Sequence, residues 1–109
     1  MRRAGLLALA AALSACGPVS DDPVARGKLV YGAHCTACHH VDPSLDGPLG
    51  PALVGSPREL IAARVVRGDY PAGYTPKRDS VLMQAFPYLA EEVDPLYAYL
   101  NQSMAEASP

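Results

Sequence analysis

Five consecutive residues, Cys35-Thr36-Ala37-Cys38-His39, bring two thiols and an imidazole together within little more than one helical turn. Thiols at that spacing can add across the two vinyl groups of a haem. The imidazole that follows then comes under the ring, where a nitrogen can bind iron. The pentapeptide therefore reads as the attachment site of a c-type haem, with Cys35 and Cys38 as the covalent anchors and His39 as an axial ligand. A bare C-x-x-C also suits a dithiol redox pair or half of a zinc site. The first of these calls for a βαβ setting and the second for further ligands. The chain has neither a second C-x-x-C nor an H-x-H cluster.

A haem has two faces, and the chain must supply something for the other one. Beyond the initiator, thioethers are available at Met83 and Met104. Met104 lies in a polar tail. Met83 follows a long stretch, Asp69 to Leu82, that carries Pro71, Gly73 and Pro76 with Tyr70 and Tyr74 between them. A connection of that length in a small domain is disordered or functional, and here it delivers Met83 ahead of the last helix. Met83 is accordingly the expected second iron ligand. A bound histidine usually donates its other ring N–H to a nearby acceptor. In Gly50-Pro51-Ala52-Leu53, the Pro51 carbonyl could be that acceptor, or the segment is a plain turn.

The elements that must position these residues are short. Asp22-Pro23 is an N-cap followed by proline at the first helical position, so a helix is expected from Pro23 to Tyr31 or a little further. Val24, Gly27, Tyr31 and His34 lie along one side of it. A mid-helix glycine costs up to about 1 kcal/mol relative to alanine; it is tolerable where another helix approaches the backbone, and otherwise marks a frayed helix. Val41 to Val54 reads as loop. Ser56-Pro57-Arg58-Glu59 is a capping box that predicts a helix starting at Pro57. That helix shows an apolar face of Leu60, Ile61 and Val65, and Gly68 is its natural stop. Asp94-Pro95 repeats the cap-then-proline signature ahead of Leu96, Tyr97, Tyr99 and Leu100. Glu91 and Glu92 form a separate turn before this last helix or join it across a kink.

The chain has 109 residues, half of them hydrophobic, a formal charge of −2 and no tryptophan. That is one domain at most, small enough for an apolar cofactor to form part of its core. No basic stripe points to nucleic acid. Met1-Arg2-Arg3 followed by the apolar run Ala4 to Leu13 has the form of an export signal, too short to span a bilayer. Leu13-Ser14-Ala15-Cys16 at its end resembles the lipobox of bacterial lipoproteins, which implies cleavage before Cys16 and acylation of that cysteine. An ordinary cleavage would instead leave Cys16 as a free thiol. The expected division is a signal peptide over 1–15, a lipidated tether over 16–21, a haem domain over 22–103 and a polar tail over 104–109. Removing Arg2 and Arg3 from nine basic residues leaves seven against eleven acidic ones, a formal charge of −4. With two cysteines on haem and one on lipid, no disulfide is expected.

Set in order, Pro23 to Gln102 resembles a class I cytochrome c. Gly27 and Tyr31 stand eight and four residues before the first haem cysteine, as in that family's first helix. Pro51 falls twelve residues after His39, the spacing of the family's Gly-Pro-x-Leu segment. Ala98-Tyr99-Leu100 matches the close of its last helix, with the tyrosine sixteen residues beyond Met83. The resemblance implies an all-α cytochrome c fold, three main helices and long loops wrapped around one covalently bound haem c. It implies that the Pro51 carbonyl accepts from His39 and that the terminal helices cross at Gly27. Leu82 departs from the family, which often has proline before the axial methionine. His40, which follows His39 directly and could compete for metal, reads as an exposed residue, and His34 as a packed or surface one. Arg58, Arg64, Arg67, Tyr70 and Tyr74 are candidate partners of the haem propionates.

The expected function is that of a lipid-anchored, single-haem electron carrier, exported and facing the periplasm or cell exterior, that passes electrons between a donor and an acceptor protein. It is not expected to be an enzyme or to take a small-molecule substrate. Three rivals remain: the haem subunit of a larger oxidoreductase, a haem protein with a labile sixth ligand, and a zinc-binding lipoprotein.

Overall fold

A computed structural model describes residues 21–79 and 82–102. The expected signal peptide, Cys16, the expected tether up to Ser20 and residues 103–109 lie outside the described residues. Within them the chain forms three helices and no strand: α1 over Pro23–His34, α2 over Arg58–Ile61 and α3 over Val93–Leu100. A π-helical turn, Ala62–Arg67, continues α2, and a 3₁₀ segment, Pro87–Glu92, leads into α3.

Helix α1 begins where its cap residues require. Asp22 accepts the Val24 N–H at 3.1 Å, and Pro23 occupies the first turn. The helix buries Gly27, Val30 and Tyr31 against α3. A Cβ added to Gly27 would fall on the Pro95 carbonyl and against the Cβ of Tyr99. Only the absence of a side chain lets the two backbones come so close. The terminal helices therefore cross at Gly27, as the resemblance implies, and Tyr31 and Tyr99 pack there with ring centroids 5.6 Å apart.

Two helix starts differ from their sequence signatures. Ser56 does not cap α2: its Oγ donates to the Leu53 carbonyl at 2.6 Å, Pro57 is the capping residue, and the helix starts at Arg58. Ser56 is buried, and its own carbonyl accepts from Asn101 Nδ2 at 3.0 Å. The local turn therefore competes successfully for the hydroxyl. Asp94 does not cap α3 either, because the helix begins two residues before Pro95 and Asp94 instead receives Arg58 Nε at 2.5 Å. Of the two readings for Glu91 and Glu92, the kinked junction is the one seen, with Leu89 off helical geometry inside the 3₁₀ segment.

Gly68 ends the middle helix in the left-handed region, φ 71°, and its N–H reaches back to Ala63. That five-residue reach is the π-helical hydrogen bond. The core is Val30, Tyr31, Ile61, Val65, Leu89, Val93, Leu96, Tyr99 and Leu100. Burying each such side chain contributes about 1.5–3 kcal/mol. Tyr97 is 41% exposed and stands outside that core.

Candidate haem site

Along one side of this core runs a cavity of about 370 Å³, bordered by Cys35, Cys38, His39, Pro51 and Met83 among others. Its walls are largely apolar, including Leu53, Ile61, Val65, Phe86, Leu96 and Leu100. Three cations, Arg64, Lys77 and Arg78, also border it, and no aspartate or glutamate does so among the described residues. Such a lining fits a flat apolar group that carries carboxylates.

His39 is buried, 7% exposed, and its ring is held from two sides. Nδ1 donates to the Pro51 carbonyl at 2.9 Å, which leaves the Nε2 lone pair available. A Cβ on Gly50 would strike the same imidazole ring. Gly50 thus fills a role that motif spacing did not reveal: it lets the loop lie flat on the histidine. Its place beside Pro51 in Gly-Pro-x-Leu was the available signal. The loop is fastened further by the Leu49 and Gly50 N–H groups, both donating to the Cys38 carbonyl, at 3.1 and 2.9 Å.

Tyr31 connects α1 to this wall. Its hydroxyl donates to the His40 carbonyl at 2.6 Å. Burial pushes the phenol up to about 12, with Cys35 the next contributor, so it stays a donor. His40 turns its own Nδ1 to the Asp42 N–H at 2.9 Å, a local turn rather than a ligand position. His34 borders the cavity, with its ring near those of Phe86 and Tyr88, at 6.1 and 5.7 Å between centroids.

Cys35 and Cys38 are unbridged, and Cys35 is half-buried. Burial, and secondarily Cys38, pushes the Cys35 thiol up to about 11. Redox-active C-x-x-C pairs work through a thiolate made accessible by a lowered value; this environment does the opposite. No cluster of three or more His, Cys, Asp or Glu side chains suited to a metal ion occurs among the described residues.

The other wall is built differently. The chain leaves the π-helical turn through the Asp69 N–H on the Ala63 carbonyl, 3.0 Å, and returns through the Phe86 N–H on the Val65 carbonyl, 2.5 Å. Between these points, the Tyr70 and Tyr74 rings stack at 5.6 Å, 11° from parallel, with the Arg64 guanidinium 4.2 Å over Tyr70. Arg64, Tyr70 and Tyr74 border the cavity, whereas Arg58 and Arg67 do not. Lys77 and Arg78, not singled out from sequence, do border it. Two adjacent cations in a loop expected to close over a group with carboxylates were the signal for them. Met83 is half-buried beside Phe86 and the core, and Leu82 is 71% exposed.

Helix crossing, buried histidine and shared cavity together define a small all-α haem protein. The family model described as Cytochrome c matches residues 24–103, and the chain belongs to that family. Its cofactor is covalently bound haem c, and its class is the class I c-type cytochromes, haem-based electron carriers. Neither the curated proteins nor the solved structures return a match.

Proposed function

We propose that this protein is a lipid-anchored, monohaem cytochrome that carries single electrons between two redox proteins outside the cytoplasm. Cys35 and Cys38 would hold the haem covalently, and His39 and Met83 would ligate its iron. The observation that carries the reading is the His39 ring, held by the Pro51 carbonyl at Nδ1 with Nε2 left available, in the wall of a cavity that Met83 also borders.

Haem c supplies a one-electron couple. The chain's own groups decide how that couple behaves. Pro51 fixes the tautomer and orientation of His39, so no ring rotation is needed when charge changes. The Met83 thioether favours the reduced metal and raises the potential. With His39 and Met83 both holding the iron, the chain would leave no open position for a substrate. The apolar walls would keep water from the centre, and Arg64, Tyr70 and Tyr74, which border the cavity, would receive the propionate carboxylates. Electron exchange then needs only brief docking, for which small, weak interfaces suffice.

Cys16 at the end of an apolar leader supports the anchor, since two or three acyl chains hold a protein stably at a membrane. The domain boundaries follow: leader 1–15, tether 16–21, haem domain 22–103, tail 104–109. No helix among the described residues is long and apolar enough to cross a membrane. Replacing Cys16 by Ser should move the protein from the membrane fraction to the soluble fraction. Recovery of both forms in the same fraction would remove the anchor from the proposal.

The ferric absorption spectrum tests the ligand set. A methionine-to-iron charge-transfer band is expected in the wild type and should vanish in Met83→Ala. If the wild type lacks the band, Met83 is not a ligand and a labile sixth position takes its place.

A further inference from the structure

The segment that carries Met83 is pinned at its two ends by the Asp69 and Phe86 N–H groups, and its middle is held by side chains. Lys77 Nζ donates to the Ala52 carbonyl at 2.9 Å. Arg78 Nη2 lies 3.9 Å from Asp46 Oδ2. Asp46 in turn uses its other oxygen to accept the Ala52 N–H at 2.8 Å. Ala52 is therefore gripped on both sides, its N–H by Asp46 and its carbonyl by Lys77. The residue before it is Pro51, whose carbonyl holds His39. Two consecutive cations of one loop thus close onto one short stretch of the loop opposite, across the mouth of the cavity that both border.

We infer that Lys77 and Arg78 are positioning residues for Met83. They form a clasp between the Met83 loop and the Asp46–Ala52 loop, and the clasp sets how often the methionine face opens to an outside ligand. The inference rests on the reading of Met83 as an iron ligand. A loop bridged at its middle has fewer open conformations than one held at its ends, so closure is favoured by the smaller span left free. The grip has a polar part in Lys77 and Ala52 and an ionic part in Arg78 and Asp46. The ionic part joins partly exposed groups, so salt should weaken it.

The test uses imidazole as the outside ligand, added to the ferric holoprotein while the methionine charge-transfer band and a stopped-flow absorbance trace are followed. Imidazole can bind only when Met83 leaves, so its binding reports opening. The double variant K77A/R78A should bind imidazole about tenfold faster than wild type, the change expected from losing one hydrogen bond to a charged group. D46N keeps an oxygen for the Ala52 N–H but loses the charge; it should show a smaller acceleration and lose the salt dependence seen in wild type. Denaturant midpoints measured alongside serve as the control for general loosening. Equal imidazole rates in wild type and K77A/R78A, with the charge-transfer band present in both, would overturn the clasp and leave Met83 as ligand. A reduction potential that shifts without any change in imidazole rate would also overturn it, since the cations would then act on haem charge alone. Absence of the band in wild type would instead remove the ligand reading beneath the inference.

Discussion

The two walls of the haem cavity are held by different means. On the His39 side, backbone groups close to one another in sequence make most of the contacts. The Gly47 N–H meets the Gly50 carbonyl at 2.9 Å, Leu53 and Val54 both donate to the Pro43 carbonyl, and Leu49 and Gly50 to that of Cys38. This wall is a knot of short-range hydrogen bonds with the imidazole pressed into it. On the Met83 side, the backbone is pinned at the ends of the loop and once between them, by the Tyr74 N–H on the Pro71 carbonyl, and the rest is done by the loop's own side chains: Tyr70 and Tyr74 stack beneath Arg64, and Lys77 and Arg78 reach the opposite loop. The histidine wall is preorganised, whereas the methionine wall is assembled. Under the proposed ligand set, that division would hold the first ligand still and leave the second to tune the couple.

Substitutions on the two walls test this contrast. The largest effect is expected at Gly50, where any side chain meets His39. Gly50→Val should cost about 3 kcal/mol, the upper end for forcing atoms into a filled site, read as a lowered denaturant midpoint together with a perturbed His39 resonance. Tyr31→Phe should cost about 1.5 kcal/mol, because it leaves the His40 carbonyl without its buried donor; chemical denaturation measures it. Gly73, on the methionine side, has φ 79°, and a Cβ added there would meet nothing within 4 Å. Gly73→Ala should therefore cost only about 1 kcal/mol, from backbone conformation alone. If its denaturation midpoint fell as far as that of Gly50→Val, the two walls would be equally intolerant and the contrast between them would fail.

The smallest effect lies outside both walls, where Arg26 joins α1 to the 3₁₀ segment through Glu92 at 2.5 Å. The Arg26 hydrogen bond holds the Glu92 carboxyl below its ordinary value. The carboxyl binds its proton more weakly in the folded state, so its contribution is present above the ordinary carboxylate value and is lost as pH falls through the lowered one. Denaturation midpoints taken from neutral to acid pH should fall slightly less steeply in Glu92→Gln than in wild type. An unchanged acid slope would show that the pair contributes nothing.

The sequence was most informative where one residue type had one physical reason to be there. Gly27 could be placed because a glycine inside a helix has few other uses, and Asp22 because its cap is satisfied two residues away. Ser56 and Asp94 carried equally good cap signatures, and both side chains found other partners, one in a local turn and one in Arg58. A cap motif states what a side chain can do, and tertiary neighbours decide whether it does. Tyr97 shares its helix with Leu96, Tyr99 and Leu100, but those three are buried and it is not.

The pentapeptide Cys35-Thr36-Ala37-Cys38-His39, the Gly-Pro-Ala-Leu turn twelve residues after its histidine, and the order of three short helices are properties of the sequence alone. They are local, and local spacing determines which groups one turn can bring together. The flat approach of Gly50 to the imidazole, the π-helical turn ahead of Gly68, and the reach of Lys77 and Arg78 to Ala52 and Asp46 were decided only by the tertiary structure. The first two depend on how one stretch of backbone folds back on its neighbour, the third on segments well apart in the chain meeting beside the cavity, and all three are settled by the packing of the whole domain.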